Sequence, residues 1–361
     1  PGYDFSYPHD TVPSPGPYCG HGMACTGLIA ANHTLASQKM STPEYSGMIS
    51  IDPHVKILPI KIFNNECNST GVLISDLADA INYAWQHGAD VLSNSWGYGF
   101  VPIDDISLAI DSAAIRGRSG KGCAVVFASG NVSGAMSWMA AHPRALGVGS
   151  CDSALQHFPY SGDGDSLDLV APSGWLCDQG SIWSLDQEDN LGLNPDVTYL
   201  PGCSTITWNC GDWDFDCKFG GTSAATPIAS GVAALVLARD PNMPRDSDTS
   251  DYSVYGVLRG SAVHGTVDVP DPEIGYGRVD AFRAILSIAR GDANNNGVIT
   301  ISDILWISNY KFQGGPAPWP DSLLGDVNCT GDVTMADIQM LVDHLFINRN
   351  PLPLPCFEFN D

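Results

Sequence analysis

Ser223 stands in Gly220-Gly221-Thr222-Ser223-Ala224-Ala225-Thr226-Pro227, directly ahead of the small apolar run Ile228-Ala229-Ser230-Gly231-Val232-Ala233-Ala234-Leu235-Val236-Leu237. A serine with neighbours too small to shield it, in the first turn of a buried helix, is placed as a nucleophile. Unpaired N–H groups and the positive end of the helix dipole favour an oxyanion there. Pro227 is expected in that same first turn, where its missing N–H costs little. The competing reading is a small-residue helix packed in a core, with no chemistry attached. A hydroxyl nucleophile needs a base. His21 is the candidate, in Cys19-Gly20-His21-Gly22-Met23-Ala24-Cys25, with glycines on both sides leaving the ring accessible. An oxyanion needs a donor. Asn131 follows Phe127-Ala128-Ser129-Gly130 at the end of an apolar run, where open α/β sheets keep their ligand sites. Ser95-Trp96-Gly97 ends another such run, and with Ser129 and Gly130 it is the candidate backbone for holding an extended peptide.

A second set of residues suits a metal. Gly291-Asp292-Ala293-Asn294-Asn295-Asn296-Gly297-Val298-Ile299-Thr300-Ile301-Ser302-Asp303-Ile304 recurs as Gly325-Asp326-Val327-Asn328-Cys329-Thr330-Gly331-Asp332-Val333-Thr334-Met335-Ala336-Asp337-Ile338, an internal duplication. Oxygen-bearing residues fall at positions 1, 3, 5 and 12, with glycine at 6 for the sharp turn, which is calcium-loop spacing. The first loop offers Asp292, Asn294, Asn296, the Val298 carbonyl and Asp303; the second offers Asp326, Asn328, Thr330, the Asp332 carbonyl and Asp337. Asn/Gly-rich turns without metal are the plainer alternative. Agreement of two copies at every ligand position favours Ca2+.

The elements that must position these residues read as alternating strands and helices up to about residue 290. Val55–Ile62, Val91–Ser95, Cys123–Ala128 and Ala145–Gly149 are expected strands. Leu73–His87 and Ile106–Arg116 are expected helices, the first with apolar residues at Leu73, Leu77, Ala80, Ile81 and Ala84 and a C-terminal Gly88. A last helix is expected around Gly277–Ile285. The alternation implies an α/β domain, a doubly wound parallel sheet with helices on both faces. Ser173–Phe219, rich in Gly, Asp, Trp and Cys, reads as a loop-rich insertion. The duplicated loops each run into a helix, with Ile304, Leu305 and Ile307 apolar in one and Ile338, Leu341, Val342 and Leu345 in the other, making a small all-α domain over 291–361. Gly314–Pro320 reads as the linker between the two copies.

The chain has 361 residues and a formal charge of −24, from 40 Asp+Glu against 16 Lys+Arg. Such a balance argues against nucleic acid and anionic membrane surfaces as partners, and no apolar run approaches a membrane span. Eleven cysteines are too many for an ordinary cytosolic enzyme. Cys177, Cys203, Cys210 and Cys217 suggest a disulfide-tied insertion, with zinc ligation as the alternative, and the odd count leaves one thiol free or paired elsewhere. Asn32, Asn68 and Asn328 begin glycosylation-type triplets.

With Ser223, His21, Asn131 and Ser95-Trp96-Gly97 in this order on this background, residues 1–290 resemble the subtilisin-like serine proteases (subtilases). The nucleophile block matches the family's Gly-Thr-Ser-(Met/Ala)-Ala-(Thr/Ser)-Pro. His21 matches its histidine block, although Met23 and Ala24 stand where Thr and His are usual; Cys25 is similar to the convertase branch. The resemblance implies peptide-bond hydrolysis through an acyl-enzyme, with Ser223 attacking, His21 moving the proton and Asn131 holding the oxyanion. The family also places an aspartate upstream of the histidine in an Asp-Thr/Ser-Gly turn. Neither Asp4, in Gly2-Tyr3-Asp4-Phe5, nor Asp10 has that context, so the acid is expected on an upstream segment of the same precursor, docked or lost. The second region, with one helix per loop and Asp at position 12, resembles a dockerin. That implies a cohesin-type scaffold or surface protein as partner and an extracellular setting. Ile301-Ser302 and Met335-Ala336 stand at the partner-facing positions. The reading is a secreted serine endopeptidase acting on a polypeptide substrate; its rival is a non-catalytic component with a subtilase fold.

Overall fold

The computed structural model describes residues 2–6, 19–32, 50–64, 72–97, 101–174, 182–188, 191–193, 214–246, 252–296, 298–318, 322–347 and 352. Asp10, Asn68, Cys177, Cys203, Cys210 and Gly297 lie outside these. At the start, β1 (Tyr3–Asp4) pairs in parallel with β2 (Ile60–Lys61), and α1 (His21–Ala30) comes between them in the chain. There follow α2 (Ile74–Gln86), β3 (Val91–Asn94), α3 (Asp104–Gly120), β4 (Ala124–Ala128), β5 (Leu146–Cys151) and β6 (Leu169–Pro172). The strands β3 to β6 form one parallel sheet in chain order.

That sheet is covered on both sides, and β4 shows why its strands read as continuous apolar runs. Ala124 and Val126 join a cluster with Ala225, Ala229, Val232 and Val236. Val125 and Phe127 join another with Leu77, Ile81, Ile106 and Ile110. Successive side chains point to opposite faces, so two buried faces require apolar residues at every position. Truncating Phe127 to Ala would cost about 3–5 kcal/mol.

After the sheet, β7 (Ile182–Leu185) and β8 (Phe215–Phe219) form an antiparallel pair. Three helices follow: α4 (Thr222–Arg239), α5 (Val254–Gly260) and α6 (Ala281–Ala289). Then come α7 (Ile301–Gln313), a 3-10 turn at Ser322–Gly325, α8 (Met335–Val342) and a π turn at Asp343–Ile347. The small residues of α4 let it lie close to the chain around it; a Cβ on Gly231 would come within 2.7 Å of Ile51 Cβ. Among the described residues α4 is also the one helix long and apolar enough to cross a bilayer, but 72% of it is buried inside the fold.

Several sequence expectations need correction. The strand expected over Val55–Ile62 shrinks to Ile60–Lys61, because Pro59 has no N–H for a ladder; only its carbonyl bonds, to Tyr3 N. Gly277–Asp280 is not helical: Arg278 N donates to Val263 O, and α6 begins only where Asp280 caps it by accepting from Arg283 N. Within the loop-rich 173–219 stretch, the paired strands β7 and β8 carry no sign in the sequence. Leu305 is 62% exposed while Ile304 and Ile307 are buried, a residue's turn of about 100° having carried it off the core face. Pro227 sits inside α4, beyond the first turn. Finally, Cys25, Cys123 and Cys151 are all free thiols, not one, and burial pushes each of them up to about 12.

Candidate active site

The site is assembled at the N-terminus of α4. Gly221 precedes the helix with φ +72°, and a Cβ there would lie 3.1 Å from Asn131 Nδ2. Both the backbone and the neighbour therefore demand glycine. Thr222 donates its N–H and its hydroxyl to Asn131 Oδ1, at 2.9 and 3.0 Å. Gly130 N in turn donates to Thr222 Oγ1 at 3.3 Å. With its carbonyl oxygen taken, Asn131 keeps its NH2 as the donor for a ligand. The side chain is exposed at the end of β4, as the sequence suggested.

Inside α4, Pro227 supplies no N–H to the carbonyl four residues back, which belongs to Ser223. That carbonyl is instead met by Ser95 Oγ at 2.9 Å and by Cys25 Sγ at 3.6 Å. A helix-breaking residue thus frees a carbonyl that ties the Ser223 backbone to two distant segments. The sequence placed Ser95 here for a different reason, and it gave Cys25 and Thr222 no part.

His21 is the first residue of α1, which packs on α4. Its Nδ1 lies 3.9 Å from Cys25 Sγ, one helical turn on, and its ring meets Phe219 edge-on at 5.6 Å between centroids. Burial lowers its pKa, so the neutral imidazole needed by a base is favoured. The backbone just before His21 is crowded: a Cβ on Gly20 would collide with Asp186 Oδ1 and Leu193. Among the described residues no hydrogen bond joins His21 to Ser223 Oγ, and no carboxylate pairs with His21. Asp4 is committed elsewhere: it accepts from Ser6 N at 2.8 Å and from Lys61 Nζ at 3.0 Å.

The candidate peptide-binding backbone divides. Gly97 is exposed and Gly130 half-buried, but Ser129 is fully buried and its carbonyl accepts from Ser137 N at 2.7 Å. Trp96 turns its ring inward, edge-on to Phe127, with Nε1 donating to Asn94 Oδ1 at 3.1 Å. Neither offers its side chain to a ligand. The N–H and carbonyl of both Ser129 and Gly130 are already bonded within the fold, to Val148 O, Ser137 N, Thr222 Oγ1 and Gly162 N. Of the two strand ends, Ser95–Gly97 is therefore the one left to present backbone.

The two loops of the second region share one backbone design. Asn295 and Cys329, both at position 4, have φ of 54° and 64°. Asp292 Oδ1 accepts from Asn296 N as Asp326 Oδ1 does from Thr330 N, at 2.9 and 3.0 Å. Asp303 Oδ2 accepts from Thr300 N and Asp337 Oδ2 from Thr334 N, capping α7 and α8. All four aspartates are buried, and Asn294 Oδ1 is a buried oxygen with no hydrogen-bond partner. Buried carboxylates beside an orphaned amide oxygen suit a hard cation with oxygen ligands. Among the described residues no three His, Cys, Asp or Glu side chains cluster to hold a metal, consistent with loops that mix carboxylates with amide, hydroxyl and carbonyl oxygens.

Residues 4–277 match the family described as Subtilase family, and residues 290–346 match the Dockerin type I domain. The calcium-dependent protease of Nostoc sp. (strain PCC 7120 / SAG 25.82 / UTEX 2576) is 31% identical over 296 residues, covering 76% of this chain and 40% of that protein. The chain thus spans well under half the length of that relative. Subtilisin Savinase of Lederbergia lenta is 28% identical over 225 residues, covering 62% of this chain and 65% of that protein. The solved structure of the prenylagaramide maturation protease PagA superposes with a TM-score of 0.52 at 23% identity, over 75% of this chain and 83% of that one, a likeness of fold. The chain belongs to the subtilase family of serine proteases and carries a type I dockerin region behind its subtilase domain.

Proposed function

We propose that this chain is a secreted serine endopeptidase, with Ser223 as nucleophile, His21 as general base and then general acid, and Asn131 as oxyanion donor. The observation that carries the reading is the pair of hydrogen bonds that Thr222 donates to Asn131 Oδ1, which holds an amide NH2 beside the nucleophile's helix. In the reaction Ser223 Oγ attacks the peptide carbonyl while His21 takes its proton. The oxyanion draws on Asn131 Nδ2 and on N–H groups of the first helical turn. The proton then passes to the leaving amine, and water releases the acyl group by the same steps in reverse. A carboxylate on His21 Nδ1 fixes the tautomer in such triads, and its loss costs on the order of 10⁴ in turnover. We place it on polypeptide outside the described residues, in a segment of the same precursor.

We set the domain boundary at Arg290/Gly291. The second domain binds calcium through Asp292, Asn294, Asn296, Val298 O and Asp303 in one loop and through Asp326, Asn328, Thr330, Asp332 O and Asp337 in the other. Calcium there crosslinks the fold and takes no part in hydrolysis. The domain holds a cohesin-type partner outside the cell, where Cys19, Cys217 and Cys329 serve as disulfide partners. Labelling by a fluorophosphonate probe tests the enzyme: Ser223 should react in the intact protein and stop reacting in His21→Ala. Equal labelling of both proteins, or none of either, would leave the rival, a non-catalytic component with this fold. The Cys25 thiol at Nδ1, where a triad keeps its carboxylate, is the observation in that rival's favour.

A further inference from the structure

The seam between the two domains is built around the calcium loops. Leu286 and Ala289 of α6 share a buried cluster with Leu324, and Gly291 N donates to Leu324 O at 2.7 Å. Across this seam an arginine reaches the first carboxylate of each loop, but not in the same way. In loop 2, Arg290 Nη1 donates to Asp326 O at 2.7 Å and stands 3.4 Å from Oδ2. Both Asp326 carboxylate oxygens are held by their own loop, Oδ1 by Thr330 N and Oδ2 by Gly331 N. In loop 1, Asp292 Oδ1 accepts from Asn296 N, and Oδ2 accepts from Arg239 Nη2 at 2.6 Å. Arg239 is the last residue of α4, at the opposite end from Ser223.

We propose that Arg239 competes with calcium for Asp292, so that calcium occupancy of loop 1 and closure of the seam oppose one another. The inference rests on the calcium-binding reading of the loops. Asp292 is fully buried, so charges around it are weakly screened. A guanidinium bonded to one oxygen neutralises the carboxylate and repels a dication arriving at the other. Calcium entry therefore weakens the Arg239–Asp292 bond, and by reciprocity that bond weakens calcium binding by the same factor. Loop 2, whose first carboxylate meets Arg290 and not Arg239, is the internal control for a change at Arg239.

Calorimetric titration of the intact protein with calcium chloride tests this. Arg239→Met keeps the apolar stem and removes the charge. It should tighten one of two calcium sites about tenfold and leave the other within about twofold. A second measurement needs no variant. In the parent protein calcium should speed hydrogen exchange in peptides covering 281–291 and 322–325. An unchanged or weaker site in Arg239→Met, or slower exchange at the seam with calcium, overturns the competition. Absence of any calcium binding by the parent would instead overturn the calcium reading beneath it.

Discussion

Thr222 and Asn131 are joined twice, through the backbone N–H and the hydroxyl of one residue onto a single oxygen of the other. In the proposed mechanism the threonine before Ser223 is therefore a positioning residue for Asn131. Asn131→Leu should lower kcat by about 10²–10³ with KM little changed. Thr222→Val keeps the shape and the N–H but loses the hydroxyl, and should cost about tenfold in kcat, one hydrogen bond's worth. In the Asn131→Leu background the same change should have almost no further effect, because the two act as a unit. Additive losses in the double variant would deny Thr222 this role.

His21 is lowered by burial from an ordinary value near 6.5. A base with a lowered pKa stays neutral further into acid, so the acid limb of kcat/KM against pH should have its midpoint below 6.5. Phe219 covers one side of the ring. Phe219→Ala should admit water, relieve the desolvation and move that limb upward. A parent midpoint above 6.5 would contradict the desolvated setting.

Asp216 behaves in the opposite sense. Burial, with Asp186 nearby adding repulsion, raises it from 3.8 to about 6. The folded protein then binds a proton that the unfolded chain has released, and stability falls as pH rises from about 4 to about 6, after which the penalty is constant. Asp216→Asn keeps an oxygen for Lys218 N, which Asp216 Oδ1 accepts at 2.8 Å. Above pH 6 the variant should be more stable than the parent, by at most about 3 kcal/mol. Its advantage should vanish near pH 4, as thermal melts across that range would show.

The parts of this molecule that could be read from its sequence are those whose signal is local. The β4 run announced a doubly covered strand because every residue in it faces a core. Duplication marked the loops of the second region. What the sequence did not display are bonds between distant segments: Thr222 to Asn131, 91 residues apart, and Cys25 to the Ser223 carbonyl, 198 apart. Pro227 misled for a related reason. A proline's cost was judged against its own helix, whereas the carbonyl it strands is repaired by Ser95 from another strand end. The antiparallel pairing of β7 with β8 escaped notice because the partners lie far apart in the chain and Asp216, Cys217 and Lys218 interrupt the apolar residues of β8.

The joint at Ala289–Asp292 has no spacer: α6 ends at Ala289, and the first loop begins within three residues, anchored by Gly291 to Leu324. A flexible leash would let the cleft sweep a sphere around its anchor, raising the local concentration of every neighbour alike. A joint without a spacer gives the Ser223 end a bearing instead. If the chain is the tethered endopeptidase proposed above, what stands along that bearing is presented to it first.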